Sequence, residues 1–142
     1  MKKISIIYWS GTGNTETMAK AIREGAKSEN IDVKLVGVGE ASVEDVSGAD
    51  IAVFGCPAMG DEQLEENEME PFIKSILHDI KDKDIALFGS YGWGSGDWMT
   101  NWEEQMKEYG ANLVEESLII NEEPDDDELE KCKKLGERLA EK

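Results

Sequence analysis

The chain has 142 residues, 39% of them apolar, with four Trp and six Met. That is enough for one α/β domain with a real core, expected over residues 1–142, and too little for a second beside it. Its 32 Asp and Glu against 15 Lys and Arg give a formal charge of -17, a field that repels nucleic acid and anionic lipid surfaces and suits basic partners.

Residues 4–9 form the first apolar, β-rich run, too short for a signal-peptide core or a membrane span. A cytoplasmic location is the expectation that follows. Directly after it come Ser10, Gly11, Thr12, Gly13, Asn14 and Thr15, and then Met18, Ala19, Ile22 and Ala26 repeat at helical spacing. Two glycines let the backbone turn tightly and present its amides, and the helix N-terminus adds partial positive charge. Three hydroxyls and one amide side chain complete a cradle for a phosphate. The loop lacks the Lys of a Walker loop, and Glu16 stands where a dinucleotide fingerprint needs Gly. A single terminal monophosphate, such as that of FMN, fits it better than ATP, GTP or NAD.

A second strand is expected over 33–38, a short helix or turn over 42–47, and a third strand over 51–56. Past the third strand lie Pro57, Ala58, Met59, Gly60, Asp61 and Glu62. The decade 61–70 carries six acids and no base, and Met69, Phe72, Ile73, Ile76, Leu77 and Ile80 form a helical stripe. His78 falls off that stripe and is read as solvated. The fourth strand is expected over 85–89, followed by a loop with Gly89, Ser90, Tyr91, Gly92, Trp93 and Gly94. Large side chains among glycines suit a planar ligand, with Met59 and Trp93 as its jaws. Trp98 and Trp102 fall on a further helical stripe with Met106 and Tyr109 and are read as core. A fifth strand over 113–120 and a helix carrying Leu129, Cys132, Leu135 and Leu139 end the chain, with seven acids and no base in 121–130. Cys56 and Cys132 show no CxxC spacing and no His cluster, so they are read as packing thiols, with neither a metal site nor a redox pair indicated.

Nearly continuous apolar strands alternating with helices predict a doubly wound five-stranded parallel sheet covered on both faces. Its ligand crevice belongs beyond the carboxyl ends of the strands.

The segments IYWSGTGNTE, GCPAMGDEQLEE followed by EPFI, ALFGSYGWGSGDW and NEEP, in this order, resemble the short-chain flavodoxins of clostridial anaerobes over essentially the whole chain. The length leaves no space for the insertion in the last strand that marks long-chain members. The resemblance implies strand order 2-1-3-4-5, a non-covalent FMN, no enzymatic activity of its own, and a monomer that carries single electrons at low potential between semiquinone and hydroquinone. It also implies partners with basic surfaces among redox enzymes that can use ferredoxin. Ser10 to Thr15 would bind the FMN phosphate. Met59 on the inner side and Trp93 toward solvent would flank the ring. Backbone of Gly60 to Glu62 and of Ser90 to Gly92 would bond its polar edge, with the Glu62 carboxylate close to the ring N3-H. Pro57 stands where similar flavodoxins can carry a hydroxyl residue, and it supplies neither hydroxyl nor amide hydrogen. A response-regulator receiver would need an acid pair after the first strand and an Asp after the third. Ser10, Cys56 and Pro57 stand there instead. A low-molecular-weight phosphatase would need a Cys and an Arg around the phosphate, and the loop has neither. A quinone reductase of related fold would need a substrate pocket over the ring face that Trp93 should cover.

Overall fold

The computed structural model describes residues 1–60 and 62–142. The apolar runs become β1 (Lys2–Tyr8), β2 (Ile31–Gly37), β3 (Ile51–Gly55) and β4 (Asp84–Tyr91). These lie parallel in the order β2-β1-β3-β4. The last position in the sheet is filled by two short pieces, β5 (Asn112–Leu113) and β6 (Leu118–Asn121), each parallel to β4. The order 2-1-3-4-5 thus holds, whereas the single fifth strand expected over 113–120 is broken. Between the pieces Glu115 turns its carboxylate to Arg138 Nε at 2.7 Å and Lys142 Nζ at 2.7 Å. That pairing fastens the segment between the two pieces to the last helix at Arg138 and to Lys142 just past it.

Alternation along the strands feeds two cores. Ile4, Ile6, Val53 and Phe88 pack with α1 (Asn14–Ala26) and α6 (Asp126–Ala140). Ile7, Phe54 and Leu87 lie on the other face with α2 (Val43–Ser47), α3 (Met69–Ser75), α4 (Leu77–Ile80) and α5 (Asp97–Glu108). Trp98 and Trp102 are buried there, as their spacing predicts. The stripe over 69–80 reads as one helix but is interrupted at Ile76, whose backbone takes φ -113 and ψ 16 and bonds back three residues to the Ile73 carbonyl at 3.2 Å. Ile76 still points into the core, so the apolar pattern survives the break.

The fourth strand runs past its expected end at Gly89: Ser90 and Tyr91 remain in β4, where Ile120 and Asn121 of β6 pair with them. Burial pushes the Cys56 and Cys132 thiols up to about 12, as befits packing thiols with little thiolate at neutral pH. His78 is exposed. Among the described residues no helix is long and apolar enough to cross a membrane.

Candidate functional site

The loops that leave β1, β3, β4 and β6 gather at the carboxyl ends of the strands. At the first of them α1 starts at Asn14 with Gly13 as its N-cap, in the left-handed region at φ 100 and with no side chain capping it. Ser10 closes the loop instead: its Oγ accepts from Gly13 N at 3.1 Å and Glu16 N at 3.3 Å. The N-H groups of the first helical turn have no intrahelical partner. With that of Glu16 taken by Ser10, those of Asn14 and Thr15 are the donors the helix can offer a phosphate. Glu16 is drawn aside, its Oε2 accepting from Tyr8 OH at 3.0 Å and lying 3.8 Å from Lys20. Burial and then the bond to Glu16 raise the Tyr8 phenol above its ordinary value. Beneath the loop Thr15 and Ser90, both buried, share a hydroxyl bond of 2.8 Å that joins α1 to β4.

The two ring loops are held by carboxylates. Met59 and Gln63 exchange backbone bonds of 2.9 and 2.8 Å, closing a turn with Gly60 at its exposed tip. Gly60 has φ 49, and a Cβ there would meet nothing within 4 Å, so only the backbone conformation asks for glycine. Asp61 lies outside the described residues. Glu62 also takes a left-handed conformation, φ 56, uncommon for a side-chain-bearing residue. Its Oε1 accepts from the N-H groups of Ser95 at 3.0 Å, Gly96 at 2.9 Å and Asp97 at 3.1 Å, tying the turn after β3 to the start of α5. Gly94, at φ 93, makes room for this link, since a Cβ there would stand 2.5 Å from Glu62 Oε1. Deeper in the same loop Glu65, 3% exposed, accepts from Asn67, Glu68 and Met69. Ala58 N donates to Ser90 O at 3.0 Å, and Trp98 Nε1 donates to Cys56 O at 3.2 Å. The Tyr91 carbonyl takes Glu122 N at 2.7 Å.

Between these loops runs a cleft of about 460 Å³ lined by Thr12, Asn14, Pro57, Ala58, Ser90, Tyr91, Gly92, Glu122 and Glu123, within the usual size of a small-molecule site. It carries no Lys or Arg. The phosphate-loop residues and both ring loops therefore meet in one place. Met59 and Trp93 do not line the cleft itself. They follow the lining residues Ala58 and Gly92, Met59 half-buried and Trp93 65% exposed. Gly89 is sealed inside the sheet, where a Cβ would stand 2.1 Å from the Cys56 carbonyl, so packing accounts for it. Sequence reasoning missed Glu122 and Glu123 as lining residues, although they belong to the NEEP segment. It also missed Glu65, which looks like any other acid in a run of six.

A parallel α/β sheet with an uncapped helix start and a cation-free cleft at its switch point defines a protein that binds a phosphorylated planar cofactor. Residues 6–136 match the family described as Flavodoxin. The chain is 47% identical over 137 residues to a flavodoxin of Clostridium beijerinckii, covering 96% of this chain and 99% of that one. It is 44% identical over 137 residues to a flavodoxin of Megasphaera elsdenii, covering 96% and 98%. The solution structure of the two-electron reduced M. elsdenii flavodoxin superposes with a TM-score of 0.87 over 98% of this chain and 99% of that one, at 42% identity. The chain belongs to the flavodoxin family, electron-transfer proteins that bind FMN and are not enzymes. The site fits that cofactor: neutral donors at a helix start for the phosphate, and glycine-bearing loops beside an exposed Trp for the ring.

Proposed function

We propose that this flavodoxin is one FMN-binding domain over residues 1–142, a cytoplasmic monomer that works at low potential between semiquinone and hydroquinone and serves redox enzymes that also use ferredoxin. The observation that carries the proposal is the single cleft running from Thr12 and Asn14 to loops crowded with carboxylates.

FMN, when bound, supplies the one-electron chemistry, and the protein positions and tunes it. The hydroxyls and amides of Ser10 to Thr15 hold the phosphate without a cation, while Pro57 bounds the site and donates nothing. Met59 and Trp93 flank the ring, with Trp93 on the solvent side, a placement its exposure supports. Backbone of residues 60–62 and 90–92 serves the polar ring edge. Glu62, with Oε1 on the three amides of 95–97, would have Oε2 left to accept from the polar ring edge. Gly60, exposed at the tip of its turn, would let its peptide rotate and present a carbonyl to the ring edge. The acids of 61–70 and 121–130 oppose added negative charge. A carboxylate ~10 Å away at effective dielectric ~40 to 80 costs about 0.4 to 0.8 kcal/mol before salt screening, or roughly 20 to 35 mV on a one-electron couple. Several together drive the second couple strongly negative, and the same charges steer docking to basic surfaces.

The test is to load apoprotein with FMN and follow its reduction by a ferredoxin-dependent reductase across ionic strength. One FMN per chain and a rate that falls steeply as salt rises are expected. A salt-insensitive rate would remove the acidic docking face, and a protein that takes up no FMN would remove the whole reading.

A further inference from the structure

Glu65 stands out within its acidic segment because both of its oxygens are spent on backbone. Oε2 accepts from Asn67 N at 2.8 Å, and Oε1 accepts from Glu68 N at 2.7 Å and Met69 N at 2.8 Å. Its own carbonyl accepts from Glu70 N at 3.0 Å. At 3% exposure a carboxylate is tolerated only with such bonds, and those made to a charged acceptor are the strong ones. The side chain therefore locks the segment that leads into α3.

Its place in the fold gives that lock a reach beyond α3. Two residues earlier Gln63 closes the turn with Met59. On the upstream side the turn is fixed by the Ala58 bond to Ser90. Both ends are thus held while Gly60, exposed and free of neighbours within 4 Å of a Cβ, is left as the part that can turn. A peptide can rotate between two defined states only if its flanks do not drift with it.

We infer that Glu65 is a positioning residue for the cofactor: its carboxylate is the downstream anchor of the 59–63 turn and thereby sets the spacing between the two one-electron couples of bound FMN. The inference rests on the reading of this turn as the one that meets the ring. Charge alone predicts something different, because an added or removed carboxylate on the exposed side of the loop acts through space and leaves the turn anchored. Exposed Glu66 provides that contrast.

The experiment compares the wild type with Glu65→Gln, Glu65→Asp and Glu66→Gln. Gln keeps the length but sets an NH2 against at least one of the three N-H donors. Asp keeps the charge but loses reach. Both Glu65 variants are expected to narrow the separation of the couples at least tenfold in equilibrium terms, about 59 mV, and to speed exchange of the 67–69 amides at least tenfold. Glu66→Gln should narrow the separation by no more than about fourfold in equilibrium terms, the through-space effect of one carboxylate, and leave exchange of the 67–69 amides as in the wild type. Glu65 variants that fold with an unchanged separation, or that differ no more than Glu66→Gln, overturn the inference. If neither Glu65 variant folds, exchange in the wild type decides: slow 67–69 amides in apo and FMN-bound protein support the anchor, and fast ones overturn it. A wild type that takes up no FMN would instead sink the functional reading, leaving the exchange data to judge the anchor by itself.

Discussion

At the phosphate end of the cleft the chain relies on neutral groups: an uncapped helix start, the Ser10 hydroxyl folded back on two amides, and the Thr15–Ser90 hydroxyl pair. At the ring end the work falls to carboxylates, with Glu62 gathering the amides of 95–97 and Glu65 those of 67–69. The difference follows from what each end must meet. A dianionic phosphate is repelled by acids and needs amides left open, whereas loops beside an uncharged ring edge can be stitched with charged acceptors that also make electron addition harder.

The contrast breaks most visibly at Glu62. Glu62→Ala removes three charge-assisted bonds and should cost about 3 kcal/mol of apoprotein stability in urea unfolding. It should also speed amide exchange at 95–97 while leaving 13–16 unchanged. Equal loosening of both loops would mean that the two ends are one cooperative unit. Next in size, Thr15→Val strands the buried Ser90 hydroxyl and should cost about 2 kcal/mol, with part recovered in the double variant carrying Ser90→Ala. Full additivity in that cycle would deny the pair any role in joining α1 to β4. Gly60→Ala should cost about 1 kcal/mol where the peptide must turn, about 40 mV on the first couple, with little change in phosphate binding. An unchanged first potential would remove Gly60 from the tuning.

The smallest effect lies away from the cleft. Burial pushes Glu115 up, but its bonds to Lys142 and Arg138 outweigh that and hold it below the ordinary value of 4.5. A carboxyl lowered by folding contributes stability that is complete above its unfolded value and is lost as pH falls through the folded one. Glu115→Gln should therefore lower stability at neutral pH and flatten the acid limb of a melting-temperature profile. An unaltered profile would show that the broken edge of the sheet does not depend on this pair.

The strands, the sheet order and the phosphate loop were readable because they rest on local patterns: alternation, glycine spacing and a helix start. The carboxylate links were not. Glu65 and the exposed Glu66 are adjacent and chemically alike, and only tertiary packing decides which is buried. The break at 114–117 was hidden for the same reason, since Val114 and Ser117 continue a strand-like run while the partners of Glu115, Arg138 on α6 and Lys142 just past it, are distant in sequence. Ile76 kept its place in the apolar stripe although its backbone left the helix. The end of the fourth strand was set short because Ser90, Tyr91 and Gly92 read as a loop, while the pairing that keeps Ser90 and Tyr91 in the sheet comes from β6, distant in sequence.

An anaerobic reductive titration of the FMN-loaded protein, followed by visible absorbance, decides whether this cleft makes a one-electron carrier. The yellow protein should pass through a blue neutral semiquinone before bleaching, in two well-separated steps. Bleaching in one step with no blue intermediate would contradict that role.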